Sequence, residues 1–350
     1  MKNLSSLEIR AVVDELQKLV DGKVDQIYQP DNTEVIISIH KTGLGRNNIR
    51  IISGIAVYIS SKRRKSPQHQ INFCRFLRKR LKNSRLRKIE QKDFERIIEL
   101  HFEAKEQNFI MVCEFFSKGN VILCDEKYTI ISALQVQLWK DRKIKAKVPY
   151  QYPPRKKILF DDYQDFAFYI EQQEKESIVK KLATMNLGGL YAEEICSRAG
   201  VDKDLEKPTH VQMKRLFSKY NELFDLFYEP NIVKGNPVPF SMESLGEGES
   251  TTSYNEALDI YYKQFITDEE IEEEEKQVSK KTKYENILKE QESQLKKTED
   301  AIAQNREKGD WVYTNYIELK EYIDLYKQNK AEILKKKGVE VEGTNLLITI

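Results

Sequence analysis

The stretch Phe76–Phe102, FLRKRLKNSRLRKIEQKDFERIIELHF, holds two kinds of chemistry. It belongs to a longer basic run: residues 62–88 contain twelve cations and no carboxylate (Lys62, Arg63, Arg64, Lys65, Arg75, Arg78, Lys79, Arg80, Lys82, Arg85, Arg87 and Lys88). A solvated helix face ordinarily intersperses Asp and Glu, which stabilise it through i,i+4 pairs. Omitting them costs local stability, which an external polyanion would offset. Residues 140–157 add eight more cations against Asp141 alone. The expected chemistry is phosphate binding through Arg63, Arg64, Arg75, Arg78, Lys79, Arg80, Lys82, Arg85 and Arg87, with an affinity that falls steeply with salt as counterions are released. No zinc finger and no RNP1 sequence is present to read bases, which favours recognition of shape and backbone, as in structured RNA. The run then gives way to an alternating apolar segment that opens on the acid–base pair Glu95-Arg96.

Other chemistry is sparse. There is no P-loop, G-x-G-x-x-G, G-x-S-x-G or H-E-x-x-H motif. His40, His69, His101 and His210 share no ligand spacing, and His101, inside a strand-like run, reads as a packed or surface residue. Cys74, Cys113, Cys124 and Cys196 lack C-x-x-C spacing, which implies reduced thiols rather than zinc or disulfides. No metal, cofactor or catalytic residue is expected, and the chain reads as a non-enzyme. No apolar stretch approaches the ~20 residues of a membrane helix, and MKNLSSLEIRAVV lacks a signal-peptide core, so a cytoplasmic protein without a membrane partner is expected. The net charge of +2 hides a split. Residues 1–160 carry 32 Lys+Arg against 17 Asp+Glu, a surplus of 15, and residues 161–350 carry 26 against 39, a deficit of 13.

The elements that must position these groups can be read from periodicity. SSLEIRAVVDELQKLVDGKV is a helix with capping-box spacing between Ser5 and Glu8, ended by Gly22. VDQIYQ, EVIISIH and IRIISGIAVYIS alternate as strands, and INFCRFLRKRLKNS is a helix with Phe73, Phe76, Leu77 and Leu81 on one face. FERIIELHF, FIMVCEFF, NVILCD and TIISALQVQ are further strands, with a hairpin turn at Ser117–Asn120. Residues 1–160 are therefore expected to form a basic α+β domain. KVPYQYPPRKK reads as a proline-stiffened linker. Residues 161–230 read as helices around Gly188-Gly189, a tight turn whose amides can face a phosphate, although many helix pairs turn on a double glycine. A small connecting segment spans 231–267. Ile271, Val278, Leu288, Leu295 and Ile302, then Val312 to Ile333 beyond an interruption at Gly309, predict an antiparallel helical hairpin over 268–337. A tail spans 338–350.

Several of these stretches together resemble the NFACT proteins, the fibronectin-binding protein A-like and nuclear export mediator-like factors of ribosome-associated quality control. They are SSLEIRAVVDELQKLVDGKVDQIYQ, FCRFLRKRLKNSRLRKIEQKDFERIIELHF, EFFSKGNVILCD, LGGLYAEEICSRAGVD, SYNEALDIYY and IAQNREKGDWVYTNY, in family order across most of residues 1–335. The resemblance implies a formamidopyrimidine-DNA-glycosylase-like N-terminal domain, a helix-hairpin-helix domain and an antiparallel coiled-coil arm. It implies the large ribosomal subunit with stalled peptidyl-tRNA, tRNA and rRNA as partners, a protein partner at the arm, and recruitment of charged tRNA for untemplated tailing of the nascent chain. It assigns tRNA contact to Glu95, Arg96 and Glu8; the family usually carries Asp at both acidic positions, so each carboxylate here stands one methylene further out. The family's C-terminal RNA-binding domain has no counterpart in these 350 residues. Glycosylase chemistry is not expected, because Met1-Lys2-Asn3 offers no proline amine as nucleophile. A scaffold whose RNA binding is incidental, and a fibronectin-binding surface protein, are the competing classes.

Overall fold

Ser5 caps the first helix, α1 (Ser6–Leu16), and the Glu8 carboxylate returns to the Ser5 amide, completing the capping box. The computed structural model describes residues 1–67, 71–154, 158–266, 280–328, 331–342 and 345–348. Ile9, Val12 and Leu16 bury one face of α1, as the spacing predicts. After a 3-10 turn the chain reverses at Asp21, in the left-handed region (φ 69°), and Gly22 follows where a Cβ would lie 2.4 Å from Ile39. The chain divides into two units, Met1–Glu273 and Glu274–Ile350.

The first unit is built on a nine-stranded antiparallel sheet ordered β4-β3-β2-β1-β5-β6-β7-β8-β9. Its strands are β1 (Lys23–Tyr28), β2 (Glu34–Lys41), β3 (Gly45–Ile52), β4 (Ala56–Ser60), β5 (Arg85–Gln91), β6 (Ile97–Glu103), β7 (Asn108–Glu114), β8 (Asn120–Asp125) and β9 (Ile130–Ala133). The run IRIISGIAVYIS is two strands, β3 and β4, reversed at Gly54 (φ 73°). The two meanders meet where β1 pairs with β5, and they curl around α1 and α2 (Asn72–Leu81). At the far side their turns touch. The Gly54 amide donates to Glu114 O at 3.1 Å and Ser53 Oγ to Lys118 O at 3.2 Å. Gly119 (φ 64°) passes so close that a Cβ would sit 1.9 Å from Gly54 N.

Phe73, Cys74, Leu77 and Leu81 bury α2, with Phe76 half-buried. Its last turn holds Arg78, Lys79 and Arg80, where cations complement the helix dipole. The second half of the basic run is the strand β5, an element not anticipated from the sequence. Only Leu86 and Ile89 point inward, and a bulge between Leu86 and Lys88 breaks the alternation that would reveal a strand. KVPYQYPPRKK is no free linker over its described part. Tyr150 is buried and donates to Glu114 at 2.8 Å, and Tyr152 donates to Glu99. A short hairpin of β10 (Gln137–Leu138) and β11 (Lys143–Ile144) precedes it.

The helical part comprises α3 (Tyr163–Glu171), α4 (Ile178–Leu182), a wide turn over Ala183–Leu187, α5 (Gly188–Ala199) and α6 (His210–Asp225). β12 (Asn231–Val233), β13 (Asn236–Val238) and β14 (Glu249–Ser250) form a small sheet, and α7 (Tyr254–Lys263) returns to the core of the large one. Glu194, fully buried on α5, accepts from the amides of Glu243 and Ser244 at 2.9 and 2.8 Å and from Arg198 Nε at 2.6 Å. Burial pushes this carboxyl up, but hydrogen bonds from Ser244, Arg198 and the Glu243 amide outweigh it and hold it below its usual range.

In the second unit α8 (Lys280–Thr314) runs straight through Gly309, and the break falls at Asn315, before α9 (Tyr316–Lys327). Even there the ladder persists: Asn315 N bonds Trp311 O at 3.0 Å and Leu319 N bonds Asn315 O at 2.9 Å. Leu288, Leu295 and Ile302 are exposed, with no helix covering them among the described residues. Ile271 and Val278 lie outside the described residues. α9 packs instead on α10 (Ala331–Lys336) and on the hairpin β15 (Glu340–Glu342) and β16 (Asn345–Leu347), through Tyr322, Leu334 and Val339.

Gly119→Ala is expected to destabilise the first unit by about 3 kcal/mol, combining overpacking against the Gly54 backbone with left-handed strain; urea denaturation measures it. Because the Glu194 pKa is depressed in the folded protein, its contribution is fully present above the ordinary carboxylate range and is lost as pH falls from there through the lower folded-state value. Glu194→Gln should therefore flatten the acid side of the stability–pH curve while lowering stability at pH 7.

Candidate nucleic-acid interface

Glu95 and Arg96 stand on the turn between β5 and β6, closed by Lys92 N to Ile97 O (2.9 Å) and Glu95 N to Lys92 O (2.7 Å). Asp93 and Phe94 both adopt positive φ (45° and 57°), which costs a bulky residue about 1–2 kcal/mol. The Phe94 ring offsets this by inserting into the helical core, edge-on to Phe224 at 5.2 Å. A turn held this way presents the two residues that follow in one orientation.

The Glu95 carboxylate accepts from Asn186 Nδ2 at 2.8 Å. Asn186 is itself left-handed (φ 59°), in the wide turn before α5. Among the described residues Glu95 makes no ion pair with its neighbours Arg96 or Lys92; its partner comes from 91 positions away. Arg96 is half-buried, and burial pushes its pKa down against the pull of Glu95. Among the described residues its guanidinium makes no hydrogen bond and no ion pair, so its planar fork of donors is available to an external acceptor. Gly188 (φ 74°) and Gly189 are exposed at the start of α5, two and three residues after Asn186. Gln91 ties the arrangement together, donating to Ser6 O at 2.8 Å and to Glu95 O at 2.9 Å.

Glu8 requires a correction. It is 1% exposed, and its oxygens are taken by the Ser5 amide (2.8 Å), the Tyr191 hydroxyl (2.9 Å) and the Lys2 ammonium. A carboxylate so enclosed cannot touch a nucleic acid. It is a positioning residue, joining the start of α1 to α5, the helix that opens at Gly188-Gly189. Burial, and the Glu8 charge beside it, push the Tyr191 hydroxyl well above its ordinary pKa, so Tyr191 stays a donor.

The basic residues divide. Arg64 pairs with Asp31 (2.7 Å) and Glu34 (3.0 Å), Arg87 with Asp21 (2.6 Å) and Glu103, and Arg78 donates to Ile27 O at 2.6 Å. Arg63 stacks over Tyr28 at 4.4 Å and Arg80 over Phe76 at 3.5 Å. Arg64, half-buried between two carboxylates, has its charge matched internally; Arg78 keeps its charge while one N–H donates to a carbonyl, and Arg87 stays exposed with weak surface pairs. Arg75, Lys79, Lys82 and Arg85 remain exposed. Lys79, Arg80 and Lys82 line an open groove of about 430 Å³ together with Lys105 and Glu106 of the β6–β7 turn. This groove and the Glu95-Arg96 turn sit at opposite ends of β5, about 20 Å apart at about 3.3 Å per residue.

An antiparallel sheet wrapped on helices, joined to a helical cluster, defines an α+β protein. The same fold occurs in the N-terminal part of the fibronectin/fibrinogen-binding protein from Streptococcus suis (TM-score 0.63, 20% identity, 75% of this chain and 100% of that one) and in the fibrinogen binding protein from Staphylococcus aureus (TM-score 0.60, 20% identity, 74% and 98%). The model of the NFACT N-terminal and middle domains matches residues 5–345, and the chain belongs to the NFACT family. It is 32% identical over 355 residues to the archaeal Rqc2 homolog aRqcH of Methanocaldococcus jannaschii, covering 94% of this chain and 53% of that protein. It is 24% identical over 271 residues to the Rqc2 homolog RqcH of Bacillus subtilis, covering 70% and 46%. It is also 27% identical over 150 residues to the human ribosome quality control complex subunit NEMF, covering 43% and 14%. The chain thus spans about half the length of its archaeal relative.

Glu8→Ala is expected to destabilise the protein by roughly 3–5 kcal/mol, since it leaves the part-buried Lys2 cation unpaired and strips the buried Tyr191 hydroxyl and the α1 cap of their acceptor. Denaturant melts measure the loss.

Proposed function

We propose that the protein is a cytoplasmic ribosome-associated quality control factor. It binds the large ribosomal subunit carrying a stalled peptidyl-tRNA, through rRNA and tRNA, and recruits charged tRNA for untemplated tailing of the nascent chain. In this reading it performs no covalent chemistry; the ribosome makes the peptide bonds. The sheet domain is the glycosylase-like module, the α4–α5 region the helix-hairpin-helix module, and residues 268–337 the arm that meets a protein partner. The observation that carries the proposal is the Glu95-Arg96 turn: a half-buried guanidinium with open donors beside a carboxylate oriented by Asn186, held by a strained and anchored loop. Relatives named as ribosome quality control subunits support it. The Asn186 bond holds the longer Glu95 side chain in one orientation, which supports the same role for it as the family's Asp.

The groove at Lys79, Arg80 and Lys82 supplies the backbone term, and the turn supplies discrimination. Arg96→Ala should weaken tRNA binding by about 10- to 100-fold, the loss of one or two hydrogen bonds to a charged group. Replacing Lys79, Arg80 and Lys82 by Glu should lower the salt dependence of binding by about two to three phosphate equivalents. Co-sedimentation with tRNA and with large subunits across a salt series reads both. Unchanged tRNA binding in Glu95→Ala/Arg96→Ala would remove the recruiter role, and unchanged ribosome binding in the triple Glu variant would favour a scaffold held by protein contacts.

A further inference from the structure

Glu90, Glu99 and His101 form a constellation on the face of the sheet away from α1 and α2. β5 and β6 pair with Glu90 opposite Glu99 and Lys88 opposite His101. Side chains alternate along a strand, so Glu99 and His101 project from the same face and Glu90 stands beside Glu99. One donor atom from each lies within 4.8 Å of the others. His101 Nε2 is 3.2 Å from Glu90 Oε1 and 3.3 Å from Glu99 Oε2. That nitrogen is itself buried, and among the described residues it makes no aligned hydrogen bond.

A bare imidazole lone pair facing two carboxylates is repulsive, so the space between these atoms calls for a positive centre. The spacing admits a proton on Nε2, which would bond Glu99, or a metal ion. Nitrogen and oxygen ligands about 2.0–2.1 Å from a tetrahedral zinc ion stand about 3.3 Å from one another. Both His101–carboxylate separations fit that edge. Glu99, fully buried, is braced by the Tyr128 hydroxyl at 2.8 Å on Oε2 and by Tyr152 on Oε1. Metal-binding carboxylates carry such an outer layer of hydrogen bonds. Glu90 Oε2 is held by Lys88 at 2.8 Å, which leaves Oε1 facing His101. Glu90 and His101 are partly exposed, at 32% and 25%, so an ion has a route in and a fourth position open to water.

We propose that Glu90, Glu99 and His101 bind one zinc ion, clamping the β5–β6 pair to the segments that carry Tyr128 and Tyr152. Spacing along the chain hides the site, because Glu90 reaches the other two only through the strand register. A zinc ion here departs from the expectation of no metal, which titration with zinc tests.

The test is isothermal titration of chelator-dialysed full chain with zinc chloride at pH 7.5, alongside thermal melts with and without zinc. One equivalent should bind and raise the melting temperature. Glu90→Gln and His101→Gln, whose side chains are partly exposed, should weaken binding at least tenfold and abolish the zinc-induced shift while still unfolding cooperatively without zinc. Tyr128→Phe, which leaves all three ligands in place, should weaken binding by about tenfold or more through the outer layer. Failure of wild-type protein to bind zinc, or equal binding by His101→Gln, overturns the site. An NMR signal of a His101 imidazolium at pH 7.5 that zinc leaves unmoved would overturn it too, showing a proton as the positive centre.

Discussion

The Glu8 carboxylate is the interaction on which the geometry of this protein turns. It closes the cap of α1, neutralises Lys2 and receives Tyr191 from α5. One buried charge thus sets the sheet domain in register with the helical cluster. That register places the turn before α5 against the β5–β6 turn, where Asn186 meets Glu95 and Phe94 enters the helical core. The half-buried pair at Glu95-Arg96 owes its orientation to a carboxylate that solvent does not reach.

A second constraint is the disposal of positive charge. The interior of the first meander contains Arg50, fully buried, its Nε–Nη2 edge bidentate on Glu34 and its Nη1 donating to the Tyr58 hydroxyl. Arg64 is matched by Asp31 and the buried Glu34, Arg87 makes only surface pairs, and three cations at the end of α2 complement its dipole. What is left for a polyanion is narrower than the count of twelve suggests. It is concentrated at the groove by Lys79, Arg80 and Lys82, at the other end of β5 from the Glu95-Arg96 turn. The proposed nucleic-acid surface therefore has two stations rather than one continuous basic helix.

Much of the fold was legible. The capping box of α1, the buried faces of α1 and α2, and most strands of the meander follow from hydrophobic period and turn residues. β5 was not legible, since its outward positions are Arg85, Arg87 and Lys88 and its bulge breaks the alternation. The linker reading of residues 147–157 failed over its described part because Tyr150 and Tyr152 find buried carboxylate partners that only the folded sheet supplies. Gly309 did not end its helix: one glycine in a long helix costs about 1 kcal/mol, which the flanking turns offset.

The sequence by itself determined the α+β class and the basic character of the first half, because these depend on local propensity and on charge counts; it placed Glu95 and Arg96 in a strand, whereas the fold sets them on the turn before Ile97. Only the tertiary structure decided which charges face outward, that Glu8 is enclosed, and that Glu90, Glu99 and His101 converge. Those outcomes depend on strand register and on contacts between residues tens to hundreds of positions apart. A one-residue slip in a strand sends a side chain to the opposite face, so no pattern of spacing along the chain could report them.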